Sequence, residues 1–182
     1  AGFFKNFAGN KYETSFEVYY KDMQNQVDYK EGYTPSLADP EDEFVSGKGW
    51  SYGAELLLNK QKGQFTGWIG YTLSWTWRKF TQLNDGEKFP TRYDRRHDMS
   101  VVASYEASSK WKFGGVFVYG TGNAITLPER FYFINGVLTQ EYSKLNQYRM
   151  KAYHRIDLSA TYTPTPKKKR RLISYWVFSI YN

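Results

Sequence analysis

The chain has no cysteine and only two histidines in 182 residues. The first absence excludes disulfides, thiol chemistry and cysteine-based metal sites. The second leaves too few imidazoles for the usual metal or nucleophilic constellations. No uninterrupted apolar run approaches the roughly 20 residues that a membrane helix requires. Mean hydropathy is −0.69, so a hydropathy scan would class the chain as soluble. Barrel strands escape such scans, because half of each strand faces a polar lumen. Residue 1 is Ala, and no basic segment followed by an apolar one comes after it. A leader peptide, if the protein is exported, is expected upstream or removed.

Aromatic residues, by contrast, make up 20% of the chain, with 17 Tyr, 13 Phe and 6 Trp. That suits strands and the headgroup level of a membrane. Net charge is +7. Its densest block is Lys167, Lys168, Lys169, Arg170 and Arg171, which follows Pro164 and Pro166. This block reads as a solvated turn able to touch lipid headgroups rather than as a nucleic-acid patch. No nucleic-acid partner is expected.

Seven segments alternate apolar and polar residues with period two, which places successive side chains on opposite faces of a strand. They are Lys11–Lys21, Lys48–Asn59, Phe65–Phe80, Asp94–Glu106, Trp111–Gly120, Ala152–Thr163 and Arg171–Tyr181. In the third, Phe65, Gly67, Ile69, Tyr71, Leu73, Trp75 and Trp77 share one face. Thr66, Trp68, Gly70, Thr72, Ser74, Thr76 and Arg78 share the other. Gly2–Phe7 reads as the stub of a preceding strand.

The connections alternate long and short. A long one holds Pro35, Pro40 and the acidic cluster Asp39, Glu41, Asp42 and Glu43. A second carries Asn84-Asp85-Gly86, a turn signal. The longest, from Thr121 to about Lys151, is expected to hold its own hairpin around Asn135-Gly136. Segregated loop length of this kind predicts an all-β, antiparallel, up-and-down transmembrane β-barrel, with long loops outside the cell and short turns in the periplasm. Seven strands and a stub cannot close, so a fragment is expected, with earlier strands and a final strand missing. A soluble all-β barrel is the competing reading. It fits less well because the polar faces carry charged residues, the apolar faces carry large aromatics, and the aromatics at the strand ends, such as Trp50, Trp77 and Trp111, read as interface girdles.

Four segments narrow the reading: Arg92-Tyr-Asp-Arg-Arg-His-Asp98, Tyr119-Gly-Thr-Gly-Asn-Ala-Ile-Thr-Leu-Pro128, Met150-Lys-Ala-Tyr-His-Arg-Ile-Asp-Leu158 and Phe178-Ser-Ile-Tyr-Asn182. Together they resemble the C-terminal barrel of TonB-dependent outer-membrane receptors of the Bacteroidetes type, over essentially the whole of residues 1–182. The resemblance implies 7–8 strands of a barrel of about 22, a plug domain inside it, and energy delivered through the TonB complex by way of a region N-terminal to this chain. It implies an outer-membrane location and active uptake of a scarce nutrient of the siderophore, cobalamin, glycan or peptide class. Lipid, the protein's own plug and a surface lipoprotein are the implied partners. A passive pore or small structural barrel is the alternative, and a barrel enzyme a more distant one.

No catalytic, cofactor or metal residue is expected. His97 and Asp98 are strand neighbours on opposite faces, and His154 and Asp157 likewise, so neither pair forms a dyad. Gly120-Thr-Gly-Asn123 lacks the Lys-Ser/Thr and the helix of a phosphate loop. Its glycines are expected to let the chain bend at the rim. The candidate polar contacts at lumen and rim are Arg92, Asp94, Arg96, Asp98, Asn123, Arg155 and Asp157. The first four are expected to pair with Arg155 and Asp157 across the wall, or with the plug.

Overall fold

The computed structural model describes residues 1–30, 40–164 and 174–182. It is all-β and antiparallel. In chain order the strands are β1 (Gly2–Phe7), β2 (Tyr12–Tyr29), β3 (Phe44–Lys60), β4 (Phe65–Phe80), β5 (Phe89–Pro90), β6 (His97–Glu106), β7 (Trp111–Gly120), β8 (Ala124–Ile125), β9 (Pro128–Ile134), β10 (Val137–Tyr142), β11 (Tyr148–Arg149), β12 (Tyr153–Tyr162) and β13 (Trp176–Tyr181). The main sheet runs β1-β2-β3-β4-β6-β7-β12-β13, with β5 beside β4. Each main strand thus pairs with the next main strand in the chain. Among the described residues β1 and β13 are its free edges, and the sheet does not close.

Local chemistry explains the tight turns. Ala8, Gly9 and Asn10 all take positive φ, reversing the chain between β1 and β2. Lys62 Nζ, in the β3–β4 turn, donates to Gly9 O at 2.9 Å, so neighbouring turns are tied together. Between β6 and β7, Ser108 Oγ accepts from the backbone N–H groups of Lys110 and Trp111. Within β4, Gly67 has φ +148, and a Cβ there would strike the Val102 carbonyl of β6. Only glycine fits that approach.

The register aligns the period-two patterns of separate strands. One cross-strand row reads Thr14, Leu58, Ile69, Val101, Phe117, Ile156. The next reads Phe3, Phe16, Leu56, Tyr71, Met99, Tyr119, His154. The apolar sides therefore merge into one continuous face. That face is uncovered: Phe16 is 50% exposed, Ile69 42%, Ile156 46% and Leu158 52%. The opposite face carries Glu13, Glu17, Glu55, Asn59, Thr72, Asp98, Ser100, Arg155 and Asp157, interrupted by Leu57, Trp68 and several valines. A shallow groove of about 310 Å³ runs along it past Ser15, Glu17, Glu55, Trp68, Asp98 and Ser100.

The compact core sits at one end of the sheet. Val45, Phe80, Leu83 and Phe89 are buried together, with Leu145 against them, at the end where the long loops lie. The expected hairpin is there: β9 and β10 flank Asn135 and Gly136, both at positive φ, as a tight reversal requires. Asn84, Asp85 and Gly86 form a short 3-10 turn, also with positive φ.

Two expectations are corrected. The long connection expected after Lys21 is entered by strand from both sides. β2 continues to Tyr29 past a bulge between Met23 and Gln26, and β3 starts at Phe44, so strand pairing outlasts the clean alternation. Of the acidic cluster, Asp42 and Glu43 fall in a 3-10 turn, Pro40–Glu43; Pro35 and Asp39 lie outside the described residues. The strand expected from Asp94 begins at His97, because Asp94 to Arg96 are drawn into the loop cluster described below. The last described strand is Trp176–Tyr181, and the expected start at Arg171 lies outside the described residues. The basic block at 167–171 lies outside the described residues.

Candidate functional site

Asp94 organises the loop end. It is 1% exposed and stands just after a turn closed by its own N–H donating to Thr91 O. Its carboxylate accepts from the Thr76 backbone N–H of β4 at 2.7 Å, from Arg96 Nη2 at 3.3 Å, and in a very short contact from Arg149 Nη2. Arg149 Nη1 also donates to the Asp94 carbonyl at 2.6 Å. One buried charge therefore joins the loop after β4, β4 itself, and the far end of the loop after β7. Full burial of a carboxylate is tolerable only with such partners.

Around it the two loops are stitched by backbone groups. Thr121 Oγ1 accepts from the N–H groups of Arg96 and His97. Asn84 Oδ1 accepts from Leu145 N at 3.0 Å, and Asn146 Nδ2 donates to Pro90 O at 2.9 Å. Gly122 passes so close to the Met150 carbonyl that any Cβ would clash. At the surface Lys144 Nζ donates to Glu87 at 2.6 Å. The hydrogen bond and charge of Lys144 hold the Glu87 carboxyl below its usual range, and Glu87 in turn holds the Lys144 ammonium above its own.

The candidate residues are only partly brought together. Asp94 and Arg96 pair with each other. Asp98 pairs with Arg95 at 3.4 Å, and Asn123 Oδ1 accepts from Arg95 Nε at 3.2 Å. Arg155 and Asp157, two residues apart on one face of β12, form their own two-point pair at 2.8 and 2.9 Å. The pairing expected between the Arg92–Asp98 segment and β12 is therefore not made among the described residues. Arg92 has no hydrogen bond or ion pair there. Arg149, Arg95 and Thr121 were missed by sequence reading. Thr121 and Arg149 lie outside the alternating segments, Arg95 lies inside one without being singled out, and Arg149 meets its partner only through the two-residue β8–β11 bridge.

Beside this cluster a cavity of about 780 Å³ opens between the loops, lined by Asp28, Lys30, Asp85, Arg92, Tyr142 and Asn146 among others. It offers charges of both signs, amides and a phenol, so it can hold a polar ligand by hydrogen bonds. His97 lies on the apolar face of β6, its Nδ1 2.7 Å from Tyr71 Oη, while Asp98 faces the other way. His154 and Asp157 are likewise on opposite faces of β12. Neither histidine has a triad around it. Among the described residues no three His, Asp or Glu side chains gather as a metal group.

No family model matches the chain, and neither does any curated protein or solved structure.

Proposed function

We propose that this chain forms part of the wall of an outer-membrane β-barrel, and that the barrel belongs to a TonB-dependent receptor that takes up a scarce nutrient. The observation that carries the membrane reading is the continuous, uncovered apolar face. Patches far smaller than this one mark interaction or membrane surfaces on soluble proteins. Its limits are aromatic. At the turn end stand Phe65, Tyr105, Phe113, Trp111, Tyr162 and Trp176; at the loop end stand Tyr52, Trp75, Trp50 and Trp77.

Phe65 and Trp75 are ten residues apart on β4, a length of about 34 Å at 3.4 Å per residue. A strand tilt of about 40–45° reduces this to a height of about 25 Å, the depth of an outer-membrane apolar band. The polar face would then line the lumen, opposite a plug. Free edges at β1 and β13 cannot stand in hydrocarbon, where each unpaired backbone group costs several kcal/mol. Further strands would pair with them.

The transport reading rests on the family resemblance and on the polar cavity between the loops, which is placed to capture a ligand, with or without a surface lipoprotein. Growth on limiting nutrient tests it. Cells lacking the full-length protein and cells lacking TonB should fail on the same nutrient. Growth that persists without TonB would favour a passive pore instead.

A further inference from the structure

We infer that the loop-end rim of the apolar face carries a binding site for the phosphate of a membrane lipid headgroup, built on Lys48, Lys79 and Lys88. The inference rests on the membrane reading above. Lys48 and Lys79 are directly paired across β3 and β4. They stand one row beyond the Trp50–Trp77 pair, on the same, apolar side of the sheet, since a single row, Gly49–Arg78, intervenes and successive residues of a strand point to opposite faces. β5 continues the row: Phe89 is opposite Arg78, so Lys88 falls beside Lys79. Lys88 Nζ lies 4.9 Å from the Trp77 ring centroid, which fixes it on that side. All three lysines are exposed, and none has an ion-pair partner among the described residues.

Like charges directly opposite across strands repel, and this row sets three together, spanning about 10 Å at the usual strand spacing. Among the described residues no carboxylate forms an ion pair with it. Asp22, on β2 opposite Trp50, is held by Gln24 Nε2 at 2.7 Å, and Asp94 is enclosed by Arg96 and Arg149. Arg96, paired with Asp94, has its guanidinium 4.5 Å from the ring centroid of Trp75, two rows lower. A row of cations immediately above an aromatic belt is where acyl chains end and headgroup phosphates begin. The ammonium groups supply point charges to phosphate oxygens. The indole rings beneath them supply a platform for the first carbons of the lipid.

The test uses the full-length protein in neutral detergent with dimyristoyl phosphatidate, dimyristoyl phosphatidylcholine and inorganic phosphate as probes, read by native mass spectrometry. Wild type should retain phosphatidate, and K48Q/K79Q/K88Q should lose about a hundred-fold in apparent affinity, at roughly a factor of five per lysine. K48R/K79R/K88R should restore it, and phosphatidylcholine retention should not change. Equal phosphatidate retention by wild type and the Gln variant would overturn the site. Inorganic phosphate competing at the same concentration as phosphatidate would overturn its assignment to a lipid. Quenching of Trp fluorescence by brominated acyl chains, measured on the same samples, separates the two levels. Loss of that quenching defeats the membrane reading, whereas quenching with unaltered phosphatidate retention defeats only this site.

Discussion

Replacing Asp94 with Asn removes the charge shared by two guanidiniums and leaves both beside a neutral amide. Breaking a buried pair costs about 3–5 kcal/mol when the survivor stays buried. Here the side chains of Arg149 and Arg96 are 34% and 26% exposed and can turn to water, so a cost at or below the low end of that range is expected. It should appear locally, as faster hydrogen exchange at the Thr76 and Leu145 amides. Unchanged exchange at Thr76 would remove Asp94 from its central place. The Glu87–Lys144 contact behaves differently, being exposed and screened. Glu87 is depressed, so its contribution is present above its unfolded value and fades as pH falls through its lowered folded value. Lys144 is raised, so its contribution is present below its unfolded value and fades as pH rises through its raised folded value. Spin labels at D85C and Q147C should therefore report one inter-loop distance through the neutral range. The distance distribution should broaden only below the ordinary carboxylate range, above the ordinary lysine range, or in high salt. Broadening already at pH 6 in low salt would show that the pair does not hold the loops.

At the scale of the strand, the two faces of β4 should tolerate charge unequally. Leu73 sits between Ala54 and His97 on the apolar face. Leu73→Arg should destabilise the inserted protein by about 2–4 kcal/mol if the position lies near mid-bilayer. Thr72 lies between Glu55 and Asp98 on the other face, where a new guanidinium meets carboxylates, so Thr72→Arg should cost far less. Denaturant titration of the refolded full-length protein measures both, and equal costs would reverse or abolish the facing. The same asymmetry explains what could be read without coordinates. Strands with one apolar and one polar face, such as Phe65–Phe80, announce themselves by period two, and Asn135-Gly136 announces a hairpin by its tolerance of positive φ. The outer part of β2 does not: Asp22, Gln24, Gln26 and Asp28 flank a bulge, and their pairing is backbone pairing, which no side-chain period records. The loop cluster was half legible. Asp94 and Arg96 stood out as alternating charges, but Arg149 is brought to them by a loop that returns 55 residues later, and sequence distance hid it.

Among the described residues, the sheet is a curtain with two unpaired edges and its compact core at one end. Residues 1–182 alone are expected not to insert as a heat-modifiable barrel, because β1 and β13 would expose backbone groups to hydrocarbon. A monodisperse species from this segment whose gel mobility shifts on heating would show that it closes by itself, and would favour a small structural barrel over a receptor. The most direct test of the lipid-facing apolar side is a single-cysteine spin-label scan through β4 in the full-length protein reconstituted in bilayers, which the absence of native cysteine makes clean. Labels at 69, 71, 73 and 75 should be accessible to oxygen and shielded from a water-soluble nickel chelate, and labels at 68, 70, 72 and 74 should show the opposite bias. Nickel access at the odd positions, or no alternation along the strand, would contradict it.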